Sequence, residues 1–380
     1  MLDTSSRTIF SAEHDAFRDT VRRFLAAEFT PYLTQWEEDG KVPHAFWRKA
    51  GEAGLLCPNL PERYGGMGLD FTYNAVINEE FTYAMMSDSL TLQTDITMPY
   101  ILHYASEEMK ERVLPTLLTG ENIVAIAMTE PGAGSDLQGV RTTALRDGDD
   151  YVINGSKTYI TNGQNATMIL TVAKTDPALG AKGTSLIMVE TERAGFARGR
   201  NLDKVGQWSA DTSELFFNDV RVPVSNCLGQ ENRGFIYLVS ELPQERLSIS
   251  ITAQAAAQRA YDEAVAFVKE RKAFGKPVFD FQNTRFTLAD MASRLQIGWA
   301  HLDWAIARHV KGELTAEEAA KSKLWHTETQ WMICDAAMQL HGGAGYMNEY
   351  NIARIWRDAR VRRIYGGTSE IMKELVGRGL

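Results

Sequence analysis

Residues 151–161 read YVINGSKTYIT, a pair of short β-type runs interrupted by a glycine, and this texture dominates the middle of the chain. Similar runs occur at 123–129, 168–173, 184–189 and 214–217. The Asn154-Gly155 pair lies between two runs and predicts a β-hairpin, because both central positions of a type I′ turn need positive φ. Residues 121–230 are therefore predicted to form a middle antiparallel β domain.

On both sides of this region the apolar residues recur with helical period. Near the N-terminus Phe17, Val21, Phe24 and Leu25 follow at i, i+4, i+7 and i+8, with Ser11 before them as an N-cap. Further helical stripes lie at 44–55, 74–86 and 105–118, and then at 244–272, 283–310, 315–340 and 368–378. The pattern predicts an α+β multidomain fold with an N-terminal helical domain (1–120), the β domain (121–230) and a C-terminal four-helix bundle (231–380).

Composition narrows the classes of partner and compartment. The 380 residues include 40 Lys+Arg against 49 Asp+Glu, a net charge of −9, which argues against a non-specific nucleic-acid binder. The longest apolar run, Ile123 to Met128, is far below the ~18 residues of a membrane span. Three scattered cysteines and an N-terminus without targeting features predict a reducing compartment, either the bacterial cytoplasm or, for a processed chain, the mitochondrial matrix.

The loop AMTEPGAGSD at 127–136 follows a predicted strand and is made of small and hydroxyl residues. Such a loop lets backbone N–H groups approach a flat or phosphorylated ligand closely. It matches neither the dinucleotide fingerprint GxGxxG nor the P-loop. Taken alone, its composition is more typical of a glycine-rich surface turn.

Six strings in order change that reading: TEPGAGSD (129–136), KTYITNG (157–163), RKAFG (271–275), FQ (281–282), QLHGG (339–343) and IYGGT (364–368). Together they resemble the FAD-dependent acyl-CoA dehydrogenases over essentially the whole chain. ELPQERL (241–247) and YGGTSEIMKE (365–374) are most similar to the long-chain branch. The resemblance implies oxidation of an acyl-CoA to a trans-2-enoyl-CoA in fatty acid β-oxidation, electron transfer to an electron-transfer flavoprotein, and a homotetramer built as a dimer of dimers.

The resemblance also implies which residues surround the flavin. Met128 and Thr129 would lie at the edge of the ring, and Ser135 near both the flavin and the pantetheine arm of the substrate. Tyr159 and Thr161 would flank the isoalloxazine, where an aromatic side chain supplies a dry stacking wall. The alternative for Tyr159 is an ordinary strand aromatic.

A second group resembles positions that hold the diphosphate and adenosine of FAD from a neighbouring subunit, which would make oligomerisation obligatory. An Arg fork suits a diphosphate, although Arg271 is also consistent with an ordinary helix-end cation. Ala273 replaces a hydroxyl residue of some members. The group consists of Arg271, Phe274, Gln282, Gln339 and Gly343, and Thr368 would cap the last helix near the cofactor.

The catalytic base is the point at which the sequence departs from many members. Their base is the Glu of I-Y-E-G-T, and here that position is Gly366. The long-chain and isovaleryl branches carry it instead as the Glu of a Glu-Arg pair, which is Glu245-Arg246 here, so Glu245 is assigned as base and Arg246 lies near the CoA arm. The N–H of Gly366 would donate to the thioester carbonyl, and Tyr365 would line the acyl site. The alternative for Glu245 is an acid stabilising a helix start.

Three other functions stay open at this level. One is an isovaleryl-like dehydrogenase of short branched substrates, the second is a flavin oxidase of the same fold, and the third is a non-catalytic acyl-CoA-binding scaffold, suggested by Gly366. The seven histidines contain no HxxxH or HxH pair, so no metal is expected, and no GxSxG supports a serine hydrolase.

Overall fold

A computed structural model describes residues 1–86 and 89–380. The N-terminal part is helical, and its apolar stripes meet in a core that includes Val21, Leu25, Phe46, Trp47 and Val76. A π-helical turn, Leu92–Thr97, lies between two of its helices and brings Asp95 into the interior. The helices are α1 (Ala12–Glu28), α2 (Leu33–Asp39), α3 (His44–Glu52), α4 (Phe71–Tyr83), α5 (Ser89–Thr91), α6 (Met98–Tyr104) and α7 (Glu107–Leu118).

The middle part is a mostly antiparallel sheet in the order β1-β4-β2-β3-β7-β6, with β5 paired to β4. The pairing of β1 with β4 is parallel, and β2 touches β4 in parallel at Thr143 and Lys174. The strands are β1 (Val124–Ala127), β2 (Thr143–Asp147), β3 (Asp150–Thr161), β4 (Met168–Lys174), β5 (Thr184–Glu190), β6 (Phe196–Asn201) and β7 (Thr212–Pro223).

The hairpin predicted at Asn154-Gly155 is wrong. Strand β3 runs through both residues, and the register on β7 merely shifts there. Gly155 has a φ of 151°, and a Cβ at this position would lie 2.8 Å from Cα of Thr142, so the glycine serves a close approach of two strands. The actual hairpin joins β2 to β3, where Gly148 adopts a φ of 64° between the paired residues Asp147 and Asp150.

The C-terminal part is the predicted bundle, built on three long helices. A short hairpin of β8 (Lys272–Ala273) and β9 (Lys276–Pro277) connects the first two, and the predicted domain boundaries near 120 and 230 fall in the α7–β1 and β7–α8 connections. The helices are α8 (Gly234–Glu270), α9 (Gln282–Val310), α10 (Ala316–His341), α11 (Asn351–Ala359) and α12 (Ser369–Gly377). The helical pattern of the sequence did not predict α11.

Candidate active site

Helix α8 carries Glu245 and is held against the N-terminal part by an apolar cluster. Leu247 and Ile251 on α8 are fully buried with Phe71 of α4 and Leu302 of α9. Pro243 lies in the same helix two residues before Glu245. Burial of these side chains fixes the rotation of α8, so that Glu245 points away from the apolar seam.

Asp95 holds the same segment of α8 from both sides of Glu245. Its backbone carbonyl accepts a hydrogen bond from Nε2 of Gln244 at 2.6 Å, and its carboxylate accepts one from Oγ of Ser248 at 2.7 Å. Asn74 and Asn78 of α4 donate to the carboxylate at 2.8 and 2.6 Å. Burial raises the pKa of Asp95, while these neutral donors oppose the rise.

The carboxylate of Glu245 is buried and under-satisfied. Its Oε2 atom is shielded from solvent and makes no hydrogen bond within the described part of the chain. Burial raises the pKa of Glu245 above its ordinary value, and the charges of Arg246 and Lys323 oppose that rise. A buried carboxylate oxygen without a hydrogen-bond partner is suited to accept a proton.

Gly366 lies next to this carboxylate, although 121 positions separate the two residues in the sequence. A Cβ at Gly366 would lie 3.4 Å from Oε1 of Glu245 and 3.3 Å from Cε of Lys323, and would collide with Cδ1 of Ile249. The φ of Gly366 is 62° and that of Gly367 is 95°. The absence of a side chain at 366 therefore lets Ile249, Lys323 and the Glu245 carboxylate approach this backbone closely.

Arg246 and Tyr365, also predicted for the substrate side, are the sequence neighbours of Glu245 and Gly366, and Thr368, predicted for the cofactor, follows Gly367. Arg246 is buried, and its Nε atom has no hydrogen-bond partner among the described residues. Tyr365 is half-buried beside Gly366. Thr368 is the N-cap of α12, where its hydroxyl accepts a hydrogen bond from the N–H of Ile371 at 3.3 Å.

A second group of predicted residues lies where strands β1 and β3 end. The register between β3 and β7 shifts between Lys157 and Ile160, a bulge that re-aims the intervening side chains. Tyr159 in this bulge has a φ of 59° and is 69% exposed. The N–H of Thr158 donates to the carbonyl of Thr129 at 2.9 Å, which brings Thr129 beside Tyr159.

A buried ion pair joins β3 to the segment that follows β1. Nζ of Lys157 donates to Oε1 of Glu130 at 2.8 Å and to the carbonyl of Met128 at 3.1 Å. The carboxylate of Glu130 also accepts the backbone N–H groups of residues 141 and 142. The pair thus holds the start of the 128–136 loop, whose Ser135 is exposed, while Thr161 pairs with Thr212 at the end of β3.

The predicted diphosphate and adenosine residues lie elsewhere. Arg271 follows the last residue of α8, and at about 1.5 Å per residue roughly 39 Å of helix separates it from Glu245. Phe274 is 96% exposed at the tip of the β8–β9 hairpin with a φ of 52°. Gln282 starts α9, and Gln339 and Gly343 lie near the end of α10; all three are exposed. The structure does not bring this group to Glu245 within one chain.

Sequence reasoning missed three buried charged groups of this site: Asp95, Lys323 and the Glu130–Lys157 pair. Asp95 carried a weak signal, a lone acid in the apolar stretch 90–102. Lys323 carried none, because Lys321 nearby in the same helix is exposed and paired with Glu317.

The arrangement fits a flavin. The exposed Tyr159 supplies an aromatic wall beside backbone groups of the 128–129 segment, and no described atom lies within 4 Å of a Cβ built at Gly132 or Gly134, so the loop is open to a close ligand. Within the described ranges no group of three His, Cys, Asp or Glu side chains could hold a metal ion. Nor does any described helix combine the length and apolarity that crossing a membrane needs.

Comparison with known proteins matches the whole chain. Family models for the acyl-CoA dehydrogenase N-terminal, middle and C-terminal domains match residues 11–121, 125–220 and 232–380. The chain is 46% identical to the long-chain specific acyl-CoA dehydrogenase of Sus scrofa mitochondria, over 100% of this chain and 89% of that protein. It is 34% identical to the mitochondrial isovaleryl-CoA dehydrogenase of Solanum tuberosum, over 99% of this chain and 92% of that protein.

A solved structure agrees with the sequence comparison. The acyl-CoA dehydrogenase of Geobacillus kaustophilus superimposes with a TM-score of 0.97 at 47% identity, covering 98% of this chain and 99% of that one. The resemblance inferred from six short strings thus extends over the complete three-part fold. The chain belongs to the acyl-CoA dehydrogenase family, the FAD-dependent oxidoreductases that act on the CH–CH bond of acyl-CoA thioesters.

Proposed function

We propose that the protein oxidises a long-chain acyl-CoA to the trans-2-enoyl-CoA with Glu245 as the catalytic base. The observation that carries the assignment is the Glu245 carboxylate, whose buried Oε2 has no hydrogen-bond partner among the described residues and which lies beside the backbone of Gly366. The I-Y-E-G-T base of other family members is lost here, and a carboxylate from α8 borders the same space. The two departures compensate each other in one place.

The proposed oxidation removes one proton and one hydride from the substrate. The Cα–H bond breaks and its proton goes to the Glu245 carboxylate, while a C=C bond forms between Cα and Cβ. The β-hydrogen would leave as a hydride, for which FAD would supply the acceptor when bound. Because burial raises the pKa of Glu245, its ionised carboxylate is a stronger base than that of an exposed glutamate.

Backbone and cationic groups complete the substrate side. The N–H of Gly366 would donate to the thioester oxygen, where enolate charge develops as the α-proton leaves. Arg246 is adjacent to the base and its Nε is unpartnered within the described residues, which suits an anionic or carbonyl group of the CoA arm. Tyr365 would form part of the wall of the acyl site.

The long separation between Arg271 and Glu245 supports a flavin site shared between subunits. An extended FAD is shorter than the roughly 39 Å of helix between them, so the diphosphate group of one chain serves the base of another. The exposed Phe274 follows Arg271 by three residues at the tip of the β8–β9 hairpin, where its side chain is available for contact with a neighbouring chain. A homotetramer arranged as a dimer of dimers satisfies both requirements.

The relatives support the finer parts of the proposal. The 46% identity to mitochondrial long-chain enzymes favours a long acyl chain over the short branched chain of the isovaleryl relative. An electron-transfer flavoprotein is the proposed acceptor. The cysteines are free thiols, in keeping with the bacterial cytoplasm or the mitochondrial matrix as the compartment.

The test is anaerobic reduction of the enzyme-bound FAD by a panel of acyl-CoAs. Long-chain substrates should bleach the flavin absorbance of the wild type, and Glu245→Gln should retain FAD while bleaching about 10²- to 10⁴-fold more slowly. Glu241→Gln is the matched control, because Glu241 lies one turn earlier on α8 and pairs with His103. Full activity of Glu245→Gln would refute the assignment of the base.

A further inference from the structure

Lys323 is a buried lysine in the centre of the C-terminal bundle, and the proposed reaction does not yet use it. It lies on α10 with no exposed surface, and its side chain ranks among the largest fully buried ones. Burial of an ammonium group is expensive unless the group is paired and hydrogen-bonded. The contacts of its ammonium therefore indicate why it is kept there.

The ammonium binds two backbone carbonyls that bracket Gly366. Nζ of Lys323 donates to the carbonyl of Arg362 at 3.0 Å and to that of Gly367 at 2.8 Å. The segment between these anchors contains Tyr365 and Gly366, and Gly366 and Gly367 both have positive φ. Two glycines in this conformation form an intrinsically adaptable loop, so anchors on both sides restrict the direction of the Gly366 N–H.

The same side chain faces the carboxylate of Glu245. A Cβ at Gly366 would lie 3.4 Å from Oε1 of Glu245 and 3.3 Å from Cε of Lys323, so these two atoms are separated by at most the sum of those distances. Lys323 and Glu245 thus both approach position 366. Lys323 reaches the site from α10, whereas Glu245 belongs to α8.

We propose that Lys323 is a positioning residue of the proposed reaction: it clamps the loop that presents the Gly366 N–H, and its positive charge faces the Glu245 carboxylate. The inference rests on Glu245 being the base. It assigns to one buried side chain both the orientation of the thioester-binding amide and the electrostatic support of the base.

The electrostatics around the pair agree with this role. The charged and titratable groups near Glu245 are Arg246 on its own helix, Lys323 from α10 and Tyr100 from α6. Those acting on Lys323 are Glu245, Arg246 and Glu328. Burial lowers the pKa of Lys323 to about 8, against the pull of Glu245, and the cation in turn limits how far burial raises the pKa of Glu245.

The experiment compares the pH dependence of flavin reduction in FAD-loaded Lys323→Met with that of the wild type. Without the cation the pKa of Glu245 should rise, so the acid limb should move to higher pH by about 1 to 2 units. At a fixed pH on that limb the rate should fall about 10- to 100-fold. Lys321→Met is the matched control, because this exposed lysine two positions earlier should leave the limb unchanged.

A loss of rate that is equal at all pH values, or an unshifted limb, would overturn the inference. If Lys323→Met does not fold, Lys323→Arg and Lys323→Gln provide the test. The acid limb of the pH–rate profile should stay near its wild-type position in Lys323→Arg and move to higher pH in Lys323→Gln. Acid limbs at the same pH in the two variants would count against the proposal. Failure of the proposed function itself looks different, because Glu245→Gln would then still reduce the flavin. An inactive Glu245→Gln with an unshifted Lys323→Met limb would remove only the role of Lys323.

Discussion

Replacing Gly366 by alanine tests whether the close packing of Glu245, Lys323 and Ile249 around position 366 requires a residue without a side chain. The added methyl group would occupy the point that lies 3.4 Å from Oε1 of Glu245 and 3.3 Å from Cε of Lys323, and it would collide with Cδ1 of Ile249. The φ of 62° also places an alanine in the left-handed region. Both effects act on the same residue, so they must be separated by a control.

Gly312 provides that control. It has a φ of 69°, and no described atom lies within 4 Å of a Cβ built there. Gly312→Ala therefore measures backbone strain alone, about 1 to 2 kcal/mol. The reduced entropy of the unfolded chain affects both variants equally and cancels. Gly366→Ala adds the collision with Ile249, whose terminal methyl must leave its rotamer, so we expect it to be about 1 to 3 kcal/mol less stable than Gly312→Ala.

Two assays follow from this estimate. Denaturant unfolding of the FAD-loaded enzymes gives the difference in unfolding free energy, and anaerobic flavin reduction gives the functional effect. Because the Gly366 N–H would be turned away from the thioester oxygen, we expect reduction by Gly366→Ala to be about 10²-fold slower, with Gly312→Ala near the wild-type rate. Equal stability of the two variants together with normal reduction by Gly366→Ala would refute the reading of this site.

Three further predictions concern charge and assembly. Because burial raises the pKa of Glu245, the ionised carboxylate destabilises the folded state. Glu245→Gln should therefore unfold at a higher denaturant concentration than wild type at neutral pH, and this gain in stability should vanish as the pH falls toward 4.5. Unfolding curves at several pH values will check this. Lys157→Met leaves the buried Glu130 carboxylate without its cation, so its free energy of unfolding should fall by about 3 to 5 kcal/mol and FAD should be released more readily. The double variant with Glu130→Gln should recover most of the stability. Unchanged FAD affinity would contradict the role given to the pair. Phe274→Ser should lower both the light-scattering mass and FAD retention, while Leu179→Ser, at an exposed apolar side chain of the β part, should change neither.

The class of fold could be predicted because its signals are local. The helical period of the apolar residues in 283–310 and 315–340 predicted α9 and α10 almost to the residue, because a long run at this spacing is compatible with few structures other than an amphipathic helix. The hairpin at Asn154-Gly155 was wrong for the opposite reason. That glycine is required by the close approach of Thr142, 13 positions earlier and just before β2, and a local pattern of turn residues does not reveal such a neighbour.

The candidate site divides in the same way. The resemblance of the short strings pointed to Glu245 and Gly366 as a compensating pair, and each was recognisable as a departure from a family pattern. Only the packing of α8 against α4 and α9 shows that Oε2 of Glu245 is buried without a partner among the described residues and that the carboxylate lies beside Gly366. The separation of Arg271 from this pair likewise required the helix to be seen as one continuous rod.

By itself the sequence determined the three-part order of helices and strands, the family and the residue types available for a flavin and a base. The tertiary structure alone decided which charges are buried. Lys321 and Lys323 are two positions apart on α10, yet the first is exposed beside Glu317 and the second is enclosed between Glu245 and the carbonyl of Gly367. Their difference arises from the elements packed on one face of the helix, which come from distant parts of the chain, and periodicity cannot identify those partners.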